Sequence, residues 1–194
     1  EEGITPRTMP AAADMVTAFK GELAGMWLSG IWEIANIRAF APKLKFGVFR
    51  FPIPKGGRYV TTHGGWAFGA NALGRDPETA ARFCAFALGS ARRDCVQRLV
   101  DWCTVAKTDM APRRSVMEAA EKQGGYDHWA LRKFKDEIFP GARAEPRYPP
   151  VVYKAVSDAI QATMLAGADI DAETERAGQS IEAFLKSYQG ASLI

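Results

Sequence analysis

The stretch Gly21–Ile34, GELAGMWLSGIWEI, sets the reading of the whole chain. An apolar run, Leu23 to Leu28, lies between Gly21 and the pair Ser29-Gly30, and a second apolar segment, Ile31 to Ile37, follows at helical spacing. A buried strand, a tight Ser-Gly turn and a helix is the simplest arrangement that meets this pattern. It puts Ser29, the backbone N–H groups near Gly30, and Trp32 at a strand's carboxyl end, where open α/β sheets bind their ligands. Trp32 is a flat apolar face on which a sugar ring can stack while nearby polar groups hold its hydroxyls.

With 194 residues, 47% of them apolar, the chain is long enough for one ordinary domain or two small ones with a real core. The net charge of +3 is small and dispersed. Its nearest basic cluster, Arg92-Arg93, is broken at once by Asp94, so a nucleic-acid partner is not expected. No apolar stretch is long enough to span a bilayer, and no signal peptide is visible. The sequence opens on Glu1 without an initiator Met, so a processed product or a piece of a longer chain is expected. Cys84, Cys95 and Cys103 form no CxxC pair and lie far in sequence from His63 and His128, which argues against a metal site. If Cys95 and Cys103 share a helix they stand about 12 Å apart, too far to bridge. Three small buried hydrophobes is the favoured reading over a bond from Cys84 to either one.

Taken in order, Ala11–Lys20 reads as an amphipathic helix with Met15, Val16 and Phe19 on one face and Gly21 as its stop. The helix after the Ser-Gly turn must end before Pro42. Phe46–Phe51 reads as a strand, ended by Pro52-Ile53-Pro54, with Lys55-Gly56-Gly57 a flexible loop. Tyr59–Thr62 and Trp66–Ala70 read as short strands interrupted by His63-Gly64-Gly65; paired glycines there imply a positive φ or a close approach by backbone or ligand. Asp76-Pro77-Glu78 opens a helix that Gly89 closes. Ser90 is a candidate cap for the next helix, which carries Val96, Leu99, Val100 and Cys103, with Trp102 as packing. A helix follows Pro112-Arg113-Arg114-Ser115 and ends at Gly124-Gly125. Another spans Tyr126–Ile138, with Trp129, Phe134 and Ile138 as its buried side. Pro140–Pro150 is a stiff proline-rich excursion holding Arg143, Arg147 and Tyr148. Two closing helices bury Val152, Val156, Ala159, Ile160 and Met164, and then Ile181, Phe184, Leu185 and Tyr188.

Several of these segments, in this order, resemble the family 1 extracellular solute-binding proteins, the maltose-binding-like receptors of ABC importers. GELAGMWLSGIW looks like the family's "GxxAMxxSGxW" segment, and Phe46–Gly57 like its "fGvaplPxxxGG" strand and loop. Val60–Asn71, VTTHGGWAFGAN, is similar to "vtthGGwxxaI", Asp76–Ser90 to the "xPEaAwefikFLtS" helix, and Ala111–Val116 to the "lPxRxSv" helix entry. The sequence from Pro149 on looks like the closing helices. The likeness covers almost the whole chain. It departs from the family at the three cysteines and at Ile31, where Pro is usual.

The resemblance implies the carboxyl-terminal half of a receptor roughly twice as long. The implied architecture is an α/β, periplasmic-binding-protein-like two-lobe fold of type II, of which this is the helix-rich carboxyl-terminal portion. Residues 1–58 and 108–194 would then belong to the carboxyl-terminal lobe and residues 59–107 to the amino-terminal one. The implied function is non-catalytic: a sugar or oligosaccharide is bound in the cleft, delivered to ABC transporter permease subunits, and handled in the periplasm or at the outer membrane face, without a cofactor. Matched onto the motifs, the ligand-binding candidates are Ser29, Trp32, Gly64, Gly65, Trp66, Arg114 and Tyr148. Arg113 rivals Arg114, and Arg147 and His63 are weaker candidates.

Two other classes compete. His63-Gly64-Gly65-Trp66 superficially resembles the oxyanion loop of α/β-hydrolase esterases, but the chain has no Gly-x-Ser-x-Gly nucleophile elbow and no later histidine other than His128. A helical interaction module without a small ligand accounts for the many helices but not for aromatic and glycine-rich turns at strand ends.

Overall fold

The computed structural model describes residues 15–146 and 148–190. It is helix-rich, with a small two-stranded parallel sheet, and so of mixed α/β character. The described residues separate into two compact units, one ending at Ala144 and the other beginning at Glu145. Among the described residues no helix is long and apolar enough to cross a membrane.

The larger unit contains α1 (Met15–Lys20), α2 (Glu33–Phe40), β1 (Thr61–His63), α3 (Pro77–Gly89), α4 (Arg93–Asp101), α5 (Arg114–Lys122), α6 (Trp129–Lys133) and β2 (Ala142–Ala144). The termini that the sequence marks most plainly form as expected. Gly21 ends α1 by donating to Thr17 O at 2.8 Å, and α2 stops at Phe40, short of Pro42. Asp76 caps α3, its Oδ1 accepting from the Thr79 N–H at 3.0 Å, with Pro77 in the first turn. Ser90 Oγ accepts from the Arg92 N–H two residues on, so it shapes the approach to α4 while Arg92 holds the capping position. Both α4 and α6 run on into π-helical turns, Trp102–Ala106 and Phe134–Ile138.

The core is built from one face each of α2, α4, α5 and α6 with the segments beside them. Ile31, Ile34, Val100, Cys103, Ala111, Val116, Ala120, Tyr126, Ala130 and Leu131 form one buried cluster. Their spacing on α5 (Val116, Ala120) and α4 into its π turn (Val100, Cys103) is the i, i+3/i+4 stripe of an amphipathic helix. The three cysteines are free thiols; Cys95 and Cys103 are buried and Cys84 partly so.

The sheet differs from the expectation. Thr61–His63 pairs in parallel with Ala142–Ala144, in register Thr61 with Ala142 through His63 with Ala144. The second strand lies inside the stretch read as a proline-rich excursion, and the first is displaced toward His63. The strands expected over 23–28, 46–51 and 66–70 are not formed: these segments join no ladder among the described residues. Several of their apolar side chains face solvent instead, Met26 at 85% and Phe49 at 83% exposed, while Phe46 and Val48 pack against the core. Ser29 and Trp32 therefore sit on the approach to α2, not at a strand's carboxyl end. Apolar composition favours a strand only where a neighbour receives its backbone N–H and C=O groups, and for these three runs none does.

The smaller unit is described from Glu145 onward. Its helices α7 (Pro150–Ala166) and α8 (Ile170–Ser187) pack on each other. Gly167 ends α7 at φ +68°, a left-handed conformation that a side chain would oppose, and Asp169 Oδ1 caps α8 through the Ala172 N–H. The expected apolar faces are only partly covered. Val152 is buried, but Val156, Ile160, Met164 and Leu185 remain about half exposed. Arg147 lies outside the described residues.

Candidate functional site

One cavity of about 2170 Å³ in the larger unit is lined by Ser29, Trp32, Gly64, Gly65, Trp66 and Arg114, residues drawn from three stretches remote in sequence. It exceeds the few hundred to about a thousand Å³ of an ordinary small-molecule pocket. Tyr148, the seventh candidate, belongs to the smaller unit, where its ring meets that of Tyr153 edge-on at 6.4 Å.

Trp32 is placed by the turn before α2. The Glu33 and Ile34 N–H groups bond to Gly30 O and Ile31 O, both at 3.1 Å, and Trp32 takes the capping position with helical dihedrals. Its indole folds back over Gly30, in the space that a Cβ there would fill. That is the physical reason for glycine in the Ser-Gly pair: it leaves room for the indole, which is partly exposed and lines the cavity.

The turn is held from across the fold by Thr108. This side chain is fully buried, and its Oγ1 accepts from the Ala35 N–H at 3.1 Å, satisfying a first-turn donor of α2. Oγ1 also lies 2.9 Å from Ile31 O and 2.7 Å from Lys107 O, either of which can take its single proton. Thr108 has φ +53°, a left-handed conformation costly for a β-branched residue.

The two rival arginines have different surroundings. Arg113 Nη1 donates to Leu88 O at 3.0 Å and Ser90 O at 2.8 Å, and Nη2 donates to Ser115 Oγ, so it ties the α3–α4 junction to the start of α5. Arg114 is exposed, lines the cavity, and has no hydrogen bond or ion pair among the described residues. The approach to it is fixed by buried Tyr126, whose hydroxyl donates to Asp109 O at 3.0 Å and accepts from the Ala111 N–H at 3.2 Å. Burial pushes that phenol up to about 12 and the neighbouring Cys103 thiol up to about 11.

The Gly64-Gly65 pair adopts no positive φ, and a Cβ on Gly65 would meet nothing within 4 Å. The protein itself therefore makes no demand for glycine at Gly65. Trp66 is 81% exposed. His63 also lines the cavity, its ring 6.1 Å from that of Phe139.

Two residues of the cavity wall escaped the sequence reading, and two residues outside it differ from expectation or carry a further role. Trp102, taken as packing, is half exposed and lines the cavity at the first residue of a π turn. Asp109 lines it too, with its carboxyl raised by burial and the nearby Lys107 charge opposing that rise. His128 has a structural role: Nδ1 accepts from the Ala130 N–H at 3.3 Å and caps α6, and burial, with Arg38 adding to it, lowers its affinity for a proton. Trp129, expected on the buried side, is half exposed and packs against Phe46 at 5.1 Å.

No family model matches the chain, and no curated protein matches it in sequence.

Proposed function

We propose that this chain is part of the substrate-binding component of an ABC importer. In this reading it takes a sugar or oligosaccharide into the cleft of a two-lobe, type II periplasmic-binding-protein-like fold and delivers it to permease subunits at the outer face of the membrane. It is a receptor and not an enzyme. The observation that carries the reading is the convergence of Ser29, Trp32, Gly64, Gly65, Trp66 and Arg114 on one cavity. Exposed indoles, unengaged backbone and an unpaired guanidinium are the groups that grip a sugar: the ring takes its C–H face, and the donors take its oxygens.

The test is calorimetric titration with maltose, cellobiose, xylobiose and trehalose, followed by the Trp32→Ala variant. We expect Trp32→Ala to weaken binding several-fold or more with the fold intact. Unchanged affinity removes Trp32 from the site, and no heat with any sugar refutes the receptor reading.

A second reading, a protein-interaction module without a small ligand, is favoured by one observation. Leu23, Met26, Leu28, Phe49 and Leu73 hold apolar side chains largely in solvent. A melting temperature indifferent to every sugar favours that reading.

A further inference from the structure

We infer that Asp109 is a ligand-contacting residue of this cavity, its carboxylate accepting from the hydroxyls of a neutral sugar. The inference rests on the receptor reading above and adds to it the acceptor that the resemblance does not indicate.

Asp109 is held on both sides. Its N–H donates to Cys103 O at 2.7 Å, across the π turn, and its C=O accepts from the Tyr126 hydroxyl at 3.0 Å. The residue before it is the fully buried, left-handed Thr108, anchored to the start of α2. Backbone strain of this kind persists only where the surroundings over-determine it, and it collects at functional sites. Here it fixes the direction in which Asp109 leaves the chain.

The carboxylate itself is left without a partner. It is partly buried and lines the cavity, yet it has no hydrogen bond or ion pair among the described residues. Partly buried carboxylates are normally bonded, because losing water without a replacement is costly. The other acids of the cavity wall do not share this state. Glu33 accepts from Asn36 Nδ2 at 2.8 Å, Glu121 from Lys135 Nζ at 3.1 Å, and Glu118 is exposed to water. Asp109 is therefore the acid of this wall that is partly buried and has no partner among the described residues.

Its setting selects the ligand class. A carboxylate has only acceptor sites, so it takes O–H or N–H donors, and with the exposed Trp32, Trp66 and Trp102 on the same cavity the matching ligand has an apolar ring face and hydroxyls around its edge. A uronic or phosphorylated sugar would bring a second negative charge beside Asp109, so a neutral sugar is the class favoured.

The experiment compares wild type with Asp109→Asn and Asp109→Ala. Each is titrated with maltose, cellobiose, xylobiose and trehalose, and each is melted without ligand at pH 7. We expect both variants to bind the accepted sugar at least tenfold more weakly. We also expect Asp109→Asn to melt at a higher temperature than wild type, because a partly buried, unpaired charge is removed. A structural carboxylate moves the melting temperature the other way. Wild-type affinity in both variants, or a lower melting temperature for Asp109→Asn, overturns the inference while leaving the receptor reading in place. If wild type binds none of the four sugars, the receptor reading fails and this inference falls with it.

Discussion

Replacing Thr108 by valine keeps the shape and the β-branch of the side chain but deletes its hydroxyl. In the folded protein that hydroxyl accepts from the Ala35 N–H at 3.1 Å and donates to Ile31 O or Lys107 O, in a position with no exposed surface. Valine leaves the Ala35 donor unmatched and removes a bond from a buried carbonyl. Stranding one buried polar group costs about 1–3 kcal/mol, and losing a first-turn helix acceptor falls in the same range. We therefore expect a loss of about 2 kcal/mol, a large part of the 5–15 kcal/mol of an ordinary domain. For a chain of this length that lowers the melting temperature by about 4–8 °C. Urea unfolding followed by far-ultraviolet circular dichroism reads the energy, and hydrogen exchange at Ala35 reads its place. Thr108→Ser, which restores the hydroxyl, should recover most of the loss. A change below about 0.5 kcal/mol for valine, or equal damage from serine, refutes the assignment of Thr108 as the clasp on α2.

Two further expectations follow from the same region. His128 caps α6 through a neutral Nδ1, and its folded-state pKa is depressed below the usual value near 6.5. A depressed pKa means that this stabilisation is complete above about pH 6.5 and is lost as pH falls through the folded value. His128→Ala should cost about 0.5–1 kcal/mol at pH 8 and flatten that acid limb; an unchanged pH profile of stability refutes the cap. Gly30→Ala should push the Trp32 indole off the turn, since a Cβ would occupy the space the ring now fills. Stability should change little, because the ring can swing outward, while acrylamide quenching of tryptophan fluorescence rises; unaltered quenching with the fold intact refutes the stacked placement of the indole.

The legibility of this chain divides along the range of the interactions involved. Helix starts and stops are written locally, and they were readable: Asp76-Pro77-Glu78 for α3, Pro42 beyond α2, Gly21 after α1. Strands depend on a partner elsewhere. The apolar runs at 23–28, 46–51 and 66–70 match a strand in composition, yet nothing in the described residues pairs with them, while the modest Thr61–His63 finds Ala142–Ala144 about eighty positions away. The cavity wall was partly legible because glycine and tryptophan in short turns are informative about backbone and ring placement. Thr108 and Asp109 were not, since no local propensity announces a left-handed threonine or an acid whose partner is missing.

The pairing of β1 with β2 has a consequence for the order in which the protein is made. His63 and Ala144 are 81 residues apart by their numbers, and both strands contribute to the cavity wall, through Thr61, Thr62, His63 and Ala142. Closing so long a loop costs entropy that the few bonds of a three-residue ladder cannot repay before the intervening helices have compacted it. On a ribosome adding about 5–20 residues per second, His63 waits about 4–16 s for its partner to be synthesised. During that interval Gly64–Trp66 and the exposed aromatic side chains beside it have no wall to belong to. The β1–β2 edge of the cavity wall is thus the last part of the larger unit to mature, and a nascent chain halted short of Ala144 carries the helices without that edge.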